Sequence, residues 1–164
     1  MHIRRSAAED TNELTALVLQ AKAHWGYAKA QLEAWRSSLE VSAESLAGRL
    51  AFVGELDGRI VGFYSLIPSG REWDLDDLWV LPAFMGRGIG RALLTHASHT
   101  AAAGGATSLR IESDPYAEQF YMACGAERVG AVAAPIEGEP DRIRPVLTLP
   151  VAHVTCVRSL SGNA

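Results

Sequence analysis

Lysine is nearly missing from this chain of 164 residues: Lys22 and Lys29 are the only two, and none follows. That absence removes the Walker A phosphate loop, which needs a lysine beside its last glycine. Cysteine is as scarce. Cys124 and Cys156 show no CxxC or Cys/His ligand spacing, so neither a zinc site nor a disulfide framework is indicated, and a reducing, cytoplasmic compartment fits best. No apolar run approaches the roughly 20 residues of a membrane span, and the start Met1-His2-Ile3-Arg4-Arg5-Ser6 lacks the apolar core of a signal peptide, so no membrane partner is expected. Basic residues are outnumbered 15 to 19, giving a net charge of -4. A nucleic-acid binder needs a basic surface for phosphates, so none is expected here, while acidity leaves room for a cationic partner.

What is present describes one ordinary globular domain: 48% hydrophobic, 21% charged, 15 glycines. A chain of this length buries roughly 70% of its unfolded surface, enough for a core without staples. No repeat or linker divides it. Residues 1–150 are expected to form a single domain, and 151–164, ending Ser-Leu-Ser-Gly-Asn-Ala, an extension expected to fray, with Val151, Val154 and Val157 as its means of packing.

The patterns alternate between the two periods of regular structure. A short strand at Ile3 to Arg5 precedes a helix whose Leu14, Leu17 and Val18 share a face. A second helix is predicted over Lys29 to Leu39 and a short third piece over Ser42 to Leu50. Asp57-Gly58 joins two strand patterns, 51–56 and 59–67, as a type I′ hairpin turn. A strand over Trp73 to Leu81, a helix over Gly88 to Ala103, a strand over Thr107 to Glu112, a helix over Asp114 to Cys124 and two strands, 127–132 and 144–149, complete the order β-α-α-β-β-β-α-β-α-β-β.

The chemistry begins at Met85-Gly86-Arg87-Gly88-Ile89-Gly90-Arg91, a glycine-rich turn opening a helix. Such a turn binds anions because the first helical N–H groups lack partners, the helix dipole places about half a positive charge there, and glycine lets the backbone reach a phosphate. The dinucleotide fingerprint fits poorly: Arg91 stands at its third glycine position and Leu81 to Met85 separate strand from glycines. Neighbouring carboxylates Asp74, Asp76 and Asp77 lie on the preceding strand, where simple alternation puts Asp74 and Asp76 on one face and Asp77 on the other. His96 and His99 lack a third ligand, so no metal is expected, and Cys124 reads as a buried thiol at a helix end.

The block from Leu75 through Leu94 closely resembles motif A of the GNAT superfamily of acyl-CoA-dependent N-acyltransferases. Asp114, Ala117, Phe120, Tyr121 and Gly125 match that family's second motif, and the resemblance spans about Ala51 to Val132. It departs at Met85, where the family has a polar residue, and at Asp114, where it has asparagine; an Asp before Pro115 commonly caps its own helix. The resemblance implies a mixed, mostly antiparallel twisted sheet flanked by helices, and acetyl-CoA as cosubstrate. Its pyrophosphate would lie on Met85, Gly86, Arg87, Gly88, Ile89, Gly90 and Arg91, near Asp114, and its pantetheine along Leu78, Trp79 and Val80. Tyr121 would be the acid toward the leaving thiolate, Asp76 or else Asp74 the base toward the amine, and Trp25 and Tyr27 would border the acceptor. The function implied is acetyl transfer to an amine, small molecule or protein, by direct attack in a ternary complex; a catalytically silent acyl-CoA sensor is the alternative. Homodimers are common in the family, so one is compatible with the resemblance.

Overall fold

Strands of period two and helices of period 3.6 alternate along the chain as the residue pattern requires. The computed structural model describes residues 1–151, which run β1 (His2–Arg5), α1 (Thr11–Ala23), α2 (Lys29–Trp35), β2 (Leu50–Leu56), β3 (Arg59–Ile67), β4 (Glu72–Val80), α3 (Ile89–Ala103), β5 (Ser108–Glu112), α4 (Glu118–Ala123), β6 (Glu127–Ala133) and β7 (Ile143–Pro150). This is the expected element order. The strands form one seven-stranded sheet, β1-β2-β3-β4-β5-β7-β6, with β4 and β5 parallel and every other neighbouring pair antiparallel. A parallel pair needs a long crossover, which α3 supplies. The expected C-terminal extension lies outside the described residues from 152 onward, with Val154, Cys156 and Val157; Val151 is buried, and its N–H donates to the Thr107 carbonyl at 3.1 Å.

Each face of the sheet has its own core. On one, Leu14, Leu17, Val18 and Ala21 of α1 cover Val53, Ile60 and Phe63. On the other, Leu93, Leu94, Ala97 and Ala101 of α3 cover Val61, Tyr64, Leu66 and Leu75. Phe63 and Tyr64 are neighbours in sequence on opposite faces, as the pleat demands. The hairpin turn is as expected, with φ of 49° at Asp57 and 76° at Gly58, both in the positive region that type I′ requires.

Two segments differ from expectation. The second helix ends at Trp35, and Arg36–Leu39 continue as a 3-10 turn. The piece over 42–50 is a chain of turns: Ser42 and Ser45 each accept the other's backbone N–H, at 3.1 and 2.9 Å, and Gly48 stops the run at φ of 76°. Serine side chains compete for the donors a helix would use, so short serine-rich stretches fold as turns.

The helix–sheet contact depends on Gly62. A Cβ there would stand 2.6 Å from Leu93 Cδ1 and 3.0 Å from the Trp79 carbonyl oxygen, so α3 can lie on β3 only while this position stays bare. Gly62→Ala is expected to lower stability by about 1–3 kcal/mol in denaturant unfolding, the usual range for overpacking a close-packed core.

Candidate functional site

β4 is paired with β3 along its length, to Gly62 opposite Val80, but with β5 only from Glu72 opposite Ser108 to Leu75 opposite Ile111. Among the described residues the β5 side of β4 has no strand partner beyond Leu75, and a cavity of about 420 Å3 opens there. Leu78 and Val80 form its floor, Met85, Gly86, Gly88, Gly90 and Arg91 one wall, and Ala117, Phe120 and Tyr121 the other. Trp25 stacks on Tyr116, centroids 5.6 Å apart and planes 9° from parallel, and both rings border the cavity. Trp79 points the other way, toward α1, and its indole N–H donates to Asp77 at 3.0 Å.

The glycine turn has the chemistry of an anion cradle. Among the described residues the N–H groups of residues 86–91 donate to no protein acceptor; the first helical bond runs from Ala92 to the Gly88 carbonyl. Gly86 and Gly88 have φ of 74° and 79°, and a Cβ on either would meet nothing within 4 Å, so these positions are bare toward open space. Gly90 is bare for a different reason: a Cβ there would touch the Phe120 ring at 3.3 Å. Arg91 lines the cavity, whereas Arg87 lies over the Phe84 ring at 5.2 Å and Ile89 is buried in the core, so Ile89 offers the cavity only backbone. Met85, half-buried, packs against the core while lining the entry.

Tyr121 is 6% exposed, borders the cavity, and its hydroxyl makes no hydrogen bond among the described residues. Burial pushes its pKa well above the ordinary phenol value, with the charges of Asp77, Cys124 and Asp114 adding to the effect. A neutral O–H aimed at a mostly apolar cavity is a stable hydrogen-bond donor.

The acidic strand departs from simple alternation. Ser65 stands opposite Asp77 and Leu66 opposite Leu75, so Asp76 is an extra residue with no partner of its own, a β-bulge. The bulge moves Asp77 to the face it was expected to avoid, the α1 side shared with Asp74 and Trp79. Asp77 accepts from Ser65 Oγ at 2.6 Å and from Trp79; Arg49 makes ion pairs with both Asp76 and Asp77. Asp76 and Asp77 border a second cavity of about 290 Å3, under α1 and the 36–39 turn, while Asp74 pairs with Arg110 at 3.3 Å. Burial, then the charges of Asp77 and Asp74, raise the Asp76 pKa against the opposing pull of Arg49.

Residues 14–126 match the family model described as the acetyltransferase (GNAT) family. The chain belongs to the GNAT acetyltransferase family. Its fold is that of solved members: a GCN5-related N-acetyltransferase structure from Rhodopseudomonas palustris aligns with a TM-score of 0.77 at 26% identity, covering 91% of this chain and 94% of that one. The paia N-acetyltransferase from Thermoplasma acidophilum, solved with coenzyme A, aligns at 0.71 and 17% over 91% and 98%. The ribosomal-protein-S18-alanine N-acetyltransferase from Escherichia coli aligns at 0.69 and 17% over 99% of both chains. No curated protein matches this sequence.

In this GNAT protein Asp114 faces away from the glycine turn. Its Oδ1 accepts the Tyr116 N–H at 3.0 Å, so the expected cap closes the 3-10 turn Pro115–Ala117 that leads into α4, and its carboxylate meets Lys22 Nζ at 2.5 Å, the Tyr27 hydroxyl at 3.0 Å and Arg142 at 3.7 Å. Tyr27 is held there as well, accepting from Arg142 at 2.9 Å, so its hydroxyl is engaged with this cluster and does not border the main cavity. Sequence reading missed Lys22, Arg142 and Arg49. A signal existed for Lys22: one of two lysines falls beside Ala21 and four residues after Val18, on the apolar face of α1. Burial lowers its pKa, against the opposing pull of Asp114. Asp114→Ala should therefore cost about 3 kcal/mol in denaturant unfolding, the scale of breaking a buried ion pair; a cap alone would cost about 1. At the turn, Gly88→Ala should cost about 1–2 kcal/mol in denaturant unfolding, because its backbone is left-handed and a Cβ there meets nothing else.

Proposed function

We propose that this protein transfers an acetyl group from acetyl-CoA to a primary amine by direct attack within a ternary complex. The observation that carries this reading is the pairing, across one cavity, of the donor-rich glycine turn with the Tyr121 hydroxyl, which makes no hydrogen bond among the described residues. Acetyl-CoA, when bound, supplies the acyl group as an activated thioester. The N–H groups of residues 86–91 and the Arg91 guanidinium would hold its pyrophosphate, and the free β5-side edge of β4 along Leu78 and Val80 would hydrogen-bond pantetheine as a missing strand would. A backbone N–H of that edge near Val80 stabilises the oxygen on which negative charge develops.

Amine attack requires a neutral nitrogen. Asp76, the unpaired residue of the bulge with a raised pKa, takes the ammonium proton, directly or through water. Tyr121 donates a hydrogen bond to the departing sulfur. Its raised pKa makes full proton transfer to a thiolate uphill, so the proton that finally neutralises the sulfur derives from the attacking amine. A silent acyl-CoA sensor, the other reading of the sequence, has no use for a phenol donor in the cleft.

Thiol release from acetyl-CoA in the presence of an amine panel tests the assignment. Tyr121→Phe should lower kcat by about 10²- to 10³-fold with coenzyme A affinity unchanged. The wild-type kcat/KM should rise with pH through a value above the ordinary carboxylate range as Asp76 loses its proton. Asp76→Asn should abolish that limb and do most harm near neutrality, where the amine is still protonated. Asp77→Asn is also expected to be damaging, because Asp77 bonds Ser65, Trp79 and Arg49 beneath the bulge. A silent sensor would bind coenzyme A and release no thiol with any amine.

A further inference from the structure

The second cavity, bordered by Asp76 and Asp77, shares a wall with a third. Ser38 and Leu39 line both. The third cavity, of about 240 Å3, is lined by Lys22, Arg142 and Arg144 with Trp35, Ala134 and Ile136, and no carboxylate side chain lines it. The two cavities, of about 240 and 290 Å3, share Ser38 and Leu39 in their linings, and each is near the lower end of the roughly 300–1,000 Å3 usual for a small-molecule site. The second is lined by Glu40, Asp76 and Asp77 with one cation, Arg49, which is ion-paired to both aspartates; the third is cationic, between α1 and β7.

The cationic end is built from buried side chains. The Lys22 and Arg142 side chains are 11% and 6% exposed, against one carboxylate, Asp114, at 10%. Tyr27 and Trp35 cover both cations: Lys22 Nζ lies 4.7 and 4.5 Å from the two ring centroids, and the Arg142 guanidinium carbon 5.4 and 5.5 Å. Aromatic faces stabilise a buried cation but do not neutralise it, so among the described residues two cationic side chains, Lys22 and Arg142, share one buried carboxylate, Asp114. Arg144 is held by Glu112, which it shares with Arg110, and its own charge is felt by Asp76 and by Lys22. Arg144 lines the cationic cavity. Buried cations that share one carboxylate beside a cavity are stabilised by an anion brought by a ligand.

We propose that the acceptor is a small primary amine carrying an anionic group, carboxylate or phosphoryl, on the same molecule: its nitrogen sits at Asp76 and Asp77, and its anion between Lys22, Arg142 and Arg144. The inference deepens the acetyltransferase reading and rests on it for the fate of the amine. It excludes polyamines and other purely cationic acceptors, which the acidic strand alone would have admitted. The acyl chemistry is unchanged: the nitrogen of this molecule forms the amide bond as the carbon–sulfur bond breaks, and its proton leaves by way of Asp76.

The test has a binding arm and a turnover arm. Calorimetry on protein saturated with coenzyme A compares the twenty common amino acids with their carboxamides, with aminomethylphosphonate for the phosphoryl class and putrescine as the purely cationic control. At least one acid or phosphonate should bind tenfold or more tightly than its uncharged counterpart, and that preference should fall at least fivefold in Arg144→Gln, a partly exposed position where folding is not at risk. Carboxamides or putrescine binding as tightly as the acids would overturn the proposal, as would no binding of any acid at millimolar concentration. A preference untouched in Arg144→Gln would place the anion elsewhere and also overturn it. Thiol release with the same panel separates the two readings: charge-selective binding without turnover overturns the acetyltransferase assignment and leaves the acceptor site standing.

Discussion

One pairing that stops early organises this molecule. β4 is held by β3 to its last residue but by β5 only as far as Leu75, after which the two strands carry no hydrogen bonds to each other. Backbone groups on that free edge must find partners elsewhere, and the opening between the strands is where the main cavity lies. The parallel relation of β4 and β5 forces a long crossover, and α3 provides it, so its N-terminal glycine turn necessarily arrives at the end of β4. A helix N-terminus with free donors and a strand edge with free donors and acceptors are thereby brought to one cleft.

The bulge at Asp76 is the second feature that sets that strand apart. An extra residue in β4 bends it and changes the side-chain phase, so Trp73 and Leu75 before it, and Leu78 and Val80 after it, all face the α3 core. The same change of phase puts Asp77 and Trp79 under α1. Without the bulge, an acidic triplet would split across the sheet; with it, Asp76 and Asp77 meet a single arginine, Arg49, contributed by the turns that replace the expected third helix.

Charge is distributed by the same geometry. Carboxylates gather at the bulge and cations gather around Asp114, although the two groups come from segments distant in sequence: Lys22 from α1, Asp114 ahead of α4, Arg142 and Arg144 from the edge of β7. Asp114 caps the 3-10 turn leading into α4 and pairs with a buried lysine at once, which accounts physically for an acid where the family's second motif has asparagine.

By itself the sequence determined the element order, the Asp57-Gly58 hairpin, the glycine turn and the family, because each depends on local patterning: period two or 3.6, positive φ at named residues, a motif read in one direction. It also placed Tyr121 and Gly88 on the right elements. Tertiary structure alone decided the rest. Alternation gave the wrong face for Asp77 because a bulge is a property of two strands in register, and β3 had to be in place before Asp76 could be the residue left over. Tyr27 was expected beside the acceptor, yet its hydroxyl is bound to Asp114 and Arg142, partners 87 and 115 residues away. Lys22, Arg142 and Arg144 form no motif, since nothing local relates them. Their meeting desolvates Lys22 and Arg142, a cost offset by Asp114 and by aromatic faces that arrive with the completed fold.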